Sequence, residues 1–328
     1  MTARPITSGP DDLYALWQRQ KWSLDDWTVN RDPAQWAKMR PFARSEILNI
    51  VVQLCVGEAV VVDTLGPIVD AAPDEASRRY LQTQVEDESR HTRFFVKWCT
   101  AVGAFDPDTD VVDSCRAEMP ANAARLLDDA LRSEVRKLEE APHDIRQWYR
   151  TVGLYHVLIE GVAELGAFQA LRSLLKNLDC LPDLREGLIR VVRDESRHVA
   201  FGVSALRQAV VDGYKTDVIR ACWDYLPTLV HVLVNPERRN PLPLFPALIE
   251  ARAAELETQW RRIESAFRTR LLHIGLQDEA DLFTQMWAQN VELALQRHRD
   301  LHGSHHPVAY LRRQGVPQDG CSKNQHSK

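Results

Sequence analysis

The sequence D-E-S-R-H occurs twice in the chain, at residues 87–91 and 194–198. In each copy a glutamate and a histidine are three positions apart, so an α-helix places both side chains on one face, one turn from each other. A carboxylate and an imidazole are therefore presented twice, from two helices. Together they supply half of a ligand set for two metal ions.

Two glutamates in apolar sequence precede the motif copies at similar distances. Glu58 lies 30 residues before Glu88, and Glu160 lies 35 residues before Glu195. Each distance fits an antiparallel helix hairpin that brings the glutamate opposite its motif. One Glu from each of two helices and Glu-x-x-His from each of two others is the pattern of di-iron and di-manganese carboxylate bundles. The predicted metal ligands are Glu58, Glu88, His91, Glu160, Glu195 and His198.

The donor types of this set indicate which ions would bind. A mixture of oxygen and nitrogen donors suits iron and manganese better than the thiolate-rich sites of structural zinc. We therefore expect two metal ions, Fe/Fe or Mn/Fe, with dioxygen as co-substrate, and the sequence does not fix which metal occupies each position. A third Glu-x-x-His, Glu140–His143, contains Pro142 and lies in polar sequence, so it is interpreted as a chance match.

Residues next to the predicted ligands are candidates for side chains that hold the metal ligands in place by hydrogen bonds. Asp87 and Asp194 each precede a ligand glutamate, and a carboxylate at this position can accept the second ring N–H of a ligand histidine. Arg90 and Arg197 are predicted to pair with these aspartates. His156 lies four residues before Glu160 and shares its helix face. It is therefore expected either to donate a hydrogen bond to a metal ligand or to bind a metal itself.

The apolar periodicity predicts an all-α fold. Helices are expected at about 42–69, 73–103, 121–140, 144–178, 182–212, 218–234, 246–272 and 279–301, and almost no segment alternates with period two. We divide the chain into an N-terminal arm (1–40), a helical bundle with extra helices (41–302) and a flexible tail (303–328). The arm carries tryptophans that are predicted to anchor it by packing, namely Trp17, Trp22, Trp27 and Trp36.

Composition excludes several classes of function. The net charge is −5 with acids and bases interspersed, which predicts no nucleic-acid partner, and no glycine-rich phosphate loop is present in the sequence. The six cysteines are scattered, as in a reducing cytoplasm. Residues 1–12 lack a signal-peptide pattern, and the apolar run 47–62 is interrupted by polar residues, so no membrane span is expected. A homodimer is expected, as for many helical bundles.

The two motif copies, with G-E-A-V at residues 57–60, resemble the ferritin-like superfamily of dinuclear metal oxidases. Within it, residues 10–210 are most similar to the ribonucleotide-reductase-small-subunit-like ligand-binding oxidases. This resemblance implies a four-helix bundle core with additional N- and C-terminal helices, a manganese–iron or di-iron centre, and oxygen activation. It also implies a fatty acid bound in an apolar channel and an ether cross-link between a valine and a tyrosine, here Val61 and Tyr155.

The position of Tyr155 raises a geometrical question. Five residues before Glu160, it would point about 140° away from that glutamate on a regular α-helix. A local π-bulge, which is common at functional sites, would bring both side chains to one face.

Other functions remain open from the sequence. A di-iron monooxygenase or N-oxygenase is one, although the extra histidine of such N-oxygenases would fall at Val191. A radical-generating subunit for ribonucleotide reduction is another; Tyr310 in the tail leaves it open, and a glutamate at position 58 disfavours it. The non-enzymatic alternative is an iron-storage or metal-binding bundle. The substrate and the electron donor are not identified by the sequence.

Overall fold

The computed structural model describes residues 8–235, 237 and 246–313, and these residues form helices and no β-strand. The α-helices, in chain order, are α1 (Pro10–Gln20), α2 (Asp32–Lys38), α3 (Pro41–Asp70), α4 (Glu75–Val102), α5 (Val111–Glu118), α6 (Ala121–Ala124), α7 (Arg132–Glu140), α8 (Ile145–Val152), α9 (Leu165–Asn177), α10 (Pro182–Val211), α11 (Lys215–Val234), α12 (Pro246–Ile274), α13 (Gln277–His302) and α14 (Pro307–Arg313).

Two π-helical segments interrupt the α-helices. Arg125–Leu131 joins α6 to α7, and Gly153–Glu164 joins α8 to α9 in one continuous helical rod. The rod, α3, α4 and α10 form the four-helix core that the sequence predicts, and their bounds agree closely with the predicted ones. The short helix α5 lies in a segment for which the sequence predicts no helix.

Local sequence explains where the two motif helices begin and end. Asp74 caps α4 by accepting a hydrogen bond from the backbone N–H of Ser77, and Gly103 ends the helix in the left-handed region at φ 64°. The helix α10 begins with Pro182 in its first turn. The carboxylate of Asp32 in the arm accepts hydrogen bonds from the backbone N–H groups of Asp183 and Leu184, so the arm caps this helix.

The N-terminal arm packs along the two motif helices. Helices α1 and α2 both contact α4 and α10. Trp27 donates a hydrogen bond to the carbonyl of Asp183, and Trp98 of α4 donates one to Asp32. The arm therefore covers the face of the bundle from which both D-E-S-R-H copies are presented.

Helices α11 to α14 cover the other side of the bundle, with α11 and α12 both contacting the Gly153–Glu164 segment. The helix α14 lies within the predicted tail after His302, and its Val308 is fully buried. The remainder of the predicted tail, residues 314–328, lies outside the described residues.

By length and composition alone, α3 is apolar enough to cross a membrane. Within the fold, however, 61% of its most apolar window is buried against other helices, and it carries the buried Glu58. We interpret α3 as a core helix of the bundle.

Candidate metal centre

The six predicted ligands converge in the middle of the bundle, all of them buried. They form two overlapping groups whose ligand atoms lie within 4.8 Å of one another. One group contains Glu58, Glu88, His91 and Glu195, and the other contains Glu88, Glu160, Glu195 and His198. Glu88 and Glu195 belong to both groups, so their carboxylates would be placed to bind both ions.

The arrangement of donor atoms fits a pair of metal ions. His91 Nδ1 lies 2.9 Å from Glu195 Oε1 and 3.4 Å from Glu58 Oε2, and His198 Nδ1 lies 2.9 Å from Glu88 Oε1. Despite this proximity, five buried ligand atoms have no hydrogen-bond partner among the described residues. They are Glu58 Oε1 and Oε2, His91 Nδ1, Glu160 Oε2 and Glu195 Oε1.

Buried polar atoms without partners are costly, at roughly 1–3 kcal/mol each. Several buried donor atoms that lie within 4.8 Å of one another without hydrogen-bond geometry are expected at a metal site. The donors present therefore fit two divalent ions with mixed oxygen and nitrogen ligation.

The electrostatics of the cluster favour a cationic occupant. Burial raises the pKa of Glu58 well above its usual range, against the attraction of His91. Burial likewise raises the pKa of Glu160 to about 8, although the adjacent His198 acts in the opposite direction. These carboxyl groups hold protons that a metal ion would displace.

Each histidine is oriented by the aspartate of the other motif copy. His91 Nε2 lies 3.2 Å from Asp194 Oδ2, and His198 Nε2 lies 3.2 Å from Asp87 Oδ2. Because the ring donates its Nε2–H to a carboxylate, Nδ1 is the nitrogen that would bind a metal ion at the centre, in place of its proton. The predicted role of the two aspartates thus agrees with this geometry.

The arginines of the motifs pair with both aspartates. Arg197 Nη2 donates to Asp87 at 2.9 Å and to Asp194 at 2.7 Å, and Arg90 contacts the same two carboxylates. Burial tends to raise the pKa of Asp194, but its bonds to His91 and Arg197 lower it. The aspartates therefore stay ionised as acceptors for the histidines.

Two tryptophans of the arm also donate hydrogen bonds to these aspartates. The sequence predicted only a packing role for them. Trp17 Nε1 donates to Asp87 at 2.9 Å and Trp22 Nε1 donates to Asp194 at 2.6 Å. Trp27 and Trp36 lie elsewhere, against Phe94 and Trp98 respectively. A tryptophan in polar sequence gives no signal of such a distant acceptor, so only the structure reveals this role.

The π-helical segment Gly153–Glu164 places Tyr155 beside the cluster. Its i→i+5 period brings residues five apart onto one face, as the sequence analysis required for Tyr155 and Glu160. Gln84 Nε2 donates to both the Tyr155 hydroxyl and Glu160 Oε1, at 2.9 Å each. The Tyr155 hydroxyl also lies 3.4 Å from Glu88 Oε1.

His156 is in neither group of potential metal ligands. It contacts the site indirectly, through the side chain of Gln84. Its Nε2 lies 3.0 Å from Gln84 Oε1, and burial together with the nearby His198 lowers its pKa to about 3. It is a neutral side chain that fixes the amide of Gln84. Gln84 was missed in the sequence, although its position four residues before Glu88 places it on the same face of α4.

A cavity of about 310 Å³ lies beside the cluster between α3, α9, α12 and α13. Val61 lines it, as does Glu164, a carboxylate that the sequence analysis also missed. Burial raises the pKa of Glu164 well above its usual range, and the carboxylates of the cluster raise it further. Glu164 is therefore near the ligand set, one helical turn beyond Glu160. Tyr155 is not among the described residues that line the cavity.

Several solved structures that share this fold are R2-like ligand-binding oxidases. The R2-like ligand-binding oxidase from Sulfolobus acidocaldarius gives a TM-score of 0.66 at 20% identity, covering 81% of this chain and 89% of that chain. A variant R2-like ligand-binding oxidase with an anaerobically reconstituted Mn/Fe cofactor gives 0.68 at 20% identity, covering 84% and 95%. The fold is that of the R2-like ligand-binding oxidases.

A second variant with this fold, carrying an aerobically reconstituted Mn/Fe cofactor, gives a TM-score of 0.67 at 20% identity and covers 83% of this chain and 93% of that chain. No protein-family model matches the chain. The R2-like fold accounts for the four core helices and for most of the additional ones, since the matches extend well beyond the bundle.

Proposed function

We propose that this protein is an oxygen-activating dinuclear metal oxidase. Its two ions, Fe/Fe or Mn/Fe, would be held by Glu58, Glu88, His91, Glu160, Glu195 and His198. The observation that carries this proposal is the convergence of these six buried side chains in two groups that share Glu88 and Glu195. When bound, such a pair of ions supplies the redox equivalents for reaction with dioxygen. Structural neighbours with reconstituted Mn/Fe cofactors support it.

The protein's own residues would keep this centre dry and its donors in place. The crossed aspartates hold the two imidazoles in the metal-binding tautomer, and the arginines keep those aspartates ionised. Gln84 holds Glu160 and Tyr155 in fixed positions. Buried aromatic and aliphatic side chains around them exclude water, which limits side reactions.

The substrate would occupy the cavity next to the centre. Its walls are mostly apolar, which supports an apolar, amphipathic or fatty-acid-like ligand. We also propose that oxygen exposure joins Val61 to Tyr155. In that step a C–H of the valine and the O–H of the tyrosine each lose a hydrogen, a C–O bond forms, and dioxygen accepts both electrons and both protons.

Metal analysis tests the main proposal. Protein loaded with iron and manganese should hold close to two ions per chain, and Glu88→Ala and His198→Ala should lose at least one of them. The chance motif supplies a matched control, because Glu140 and His143 are both exposed. Glu140→Ala and His143→Ala should bind metal like the unaltered protein. Failure to bind metal under any loading condition would refute the proposal.

Intact-mass measurement and peptide mapping test the cross-link. After aerobic loading, the peptides of Val61 and Tyr155 should co-migrate with a loss of two hydrogens, and Tyr155→Phe should abolish the joined species. If the peptides stay separate while a supplied substrate is oxygenated, the protein is better described as a di-iron monooxygenase.

The assembly and location proposed for this oxidase are a homodimer in the cytoplasm, supplied with electrons by an unidentified donor. Light scattering after size exclusion tests the assembly. A large cage would instead support iron storage.

A further inference from the structure

The cavity beside the metal centre leads to one end of the bundle. On α3 its lining extends from Val61, near the ligand set, to Glu46, about four turns closer to the start of the helix. On α9 the lining runs in the other chain direction, to Ala170. His302 is the one exposed residue among the described residues that line the cavity. The cavity therefore opens to solvent where α13 ends.

Polar contacts connect the segments that form this end of the bundle. Gln35 of α2 accepts the backbone N–H of Leu181, just beyond α9, at 2.7 Å. Ser173, near the end of α9, donates to Glu255 of α12 at 2.9 Å. The ring of His306, which also lines the cavity, packs on α12. The ends of α2 and α9 and the opening of the cavity are therefore on the same side of the molecule.

This end of the bundle carries basic side chains without acidic partners. Four of them are exposed and form no ion pair with any described residue, and they define what we call the basic end: Lys38, Arg40, Arg172 and Lys176. The neighbouring acid Asp179 is already paired, with Arg185 at 3.3 Å. The basic end therefore has positive charge that the described residues do not neutralise.

The opposite end of the bundle has the reverse charge. The end of α3, the turn after α10 and the start of α13 present exposed acids, namely Asp70, Asp212 and Asp278. The net charge of the whole chain is −5, so the protein as a whole is repelled by an anionic surface. Attraction to such a surface is local, and it would orient the protein with the opening of the cavity toward the anions.

Large apolar side chains are exposed at the same end. Phe42 is 42% exposed, Leu178 is 45% exposed and Leu301 is 54% exposed. Phe42 lies one helical turn before Glu46 of the cavity lining, and Leu301 is adjacent to His302 at the opening. Basic and apolar side chains together are the pattern that binds bilayer surfaces. The cations attract anionic headgroups, and the apolar groups enter the boundary with the acyl chains.

We propose that the basic end docks on an anionic lipid bilayer, so that the cavity opens toward the acyl chains and takes up its apolar ligand from the membrane. The inference rests on the proposed function for the nature of the ligand, whereas docking depends on surface side chains alone. A ligand of low solubility would then reach the metal centre without passing through bulk water. The helix α3 stays in the core, and only exposed side chains enter the headgroup region.

Co-sedimentation of the metal-loaded full chain with vesicles tests the charges. The protein should bind vesicles of equal parts phosphatidylcholine and phosphatidylglycerol, should bind pure phosphatidylcholine far more weakly, and should be released by salt. Each basic residue contributes roughly fivefold to such partitioning, so combining Lys38→Gln with Arg40→Gln should weaken binding by roughly 25-fold. The matched control combines Arg207→Gln with Arg220→Gln, which are exposed toward the opposite end and should leave binding unchanged.

A second pair of variants tests the apolar contribution. Phe42→Ser should lower binding to the mixed vesicles by roughly fivefold, since part of the ring is buried on docking. Leu282→Ser is its control, because Leu282 is similarly exposed, at 44%, but lies near the start of α13. It should bind like the unaltered protein. All variants should keep the metal content of the unaltered protein, which shows that they are folded.

Three results would overturn the inference. They are no binding to the mixed vesicles, equal loss of binding in the control variants, and a change of oligomeric state in place of vesicle binding when the basic end is altered. The last result would identify this end as an interface between two copies of the chain. Metal content is measured independently of vesicle binding. Protein that holds two ions without binding vesicles would refute only the docking, and protein that binds vesicles without binding metal would refute only the proposed function.

Discussion

Asp87 accepts the ring N–H of His198 rather than that of His91, its neighbour in the same motif copy. Asp194 is related in the same way to His91. The two D-E-S-R-H copies therefore orient each other's imidazoles across the bundle. A metal site built from one copy depends on an aspartate from the other, so the two sites are coupled through side chains that touch neither ion.

Asp87→Asn should weaken the site that contains His198 more than the site that contains His91. The substitution removes the negative charge that favours the Nε2–H tautomer, and changes of this kind typically cost about 10- to 100-fold in metal affinity. Titration with Fe(II) or Mn(II), followed by anomalous scattering at each position, measures the loss. Asp108→Asn, on an exposed loop, is the control and should bind both ions normally. Preferential loss at His91 would contradict the crossed arrangement.

Replacing Trp17 or Trp22 should destabilise the protein, because each donates a hydrogen bond to an aspartate of the motifs. Trp22→Phe keeps an aromatic side chain but removes the indole N–H that donates to Asp194, a bond to a charged group worth about 1.5–3 kcal/mol. Thermal unfolding of the metal-free protein should show the loss. Trp36→Phe is the comparison, because Trp36 packs edge-on against Trp98 and has no such link to the cluster. Equal destabilisation by both variants would indicate that packing alone accounts for Trp22.

The ligand set could be predicted from the sequence because helical spacing is local. Glu88 and His91 share a helix face however the helices pack. The 30-residue separation of Glu58 from Glu88 fits an antiparallel hairpin that places Glu58 opposite them. Trp17 and Trp22 could not be assigned, since their acceptors are 70 and 172 residues away in the chain. Glu164 was missed for another reason. Its helix face depends on the π-helical segment, whose register the apolar pattern does not encode.

The stability of the metal-free protein should fall as the pH rises from about 6.5 to 8, above the range in which the buried neutral histidines, such as His156, act in the opposite direction. Burial raises the folded-state pKa of Glu160 from its ordinary 4.5 to about 8, and it raises that of Glu58 as well. Between these values the folded state binds more protons than the unfolded state, so raising the pH favours unfolding, by about 1.4 kcal/mol per pH unit for each proton. Denaturant unfolding across this range measures the slope.

The same protons are released when metal binds, so loading should remove most of this pH dependence. Glu160→Gln, which cannot ionise, should flatten the metal-free curve in part, leaving the contributions of Glu58 and Glu164. A metal-free protein that becomes more stable between pH 6.5 and 8 would show that these carboxyl groups are ionised when folded.

Gly202→Ala should disturb the metal centre from outside its ligand set. A Cβ at residue 202 would lie 2.2 Å from the Cβ of His156, so the alanine forces the π-helical segment to move. Such overpacking typically costs about 1–3 kcal/mol. Because His156 fixes Gln84, and Gln84 holds both Tyr155 and Glu160, the displacement should also lower metal occupancy. Gly66→Ala meets no atom within 4 Å and should instead stabilise its helix by about 0.5–1 kcal/mol. Unfolding curves and metal content for both variants test this chain of contacts. A Gly202→Ala protein with unchanged metal occupancy would show that displacement of His156 does not alter the metal centre.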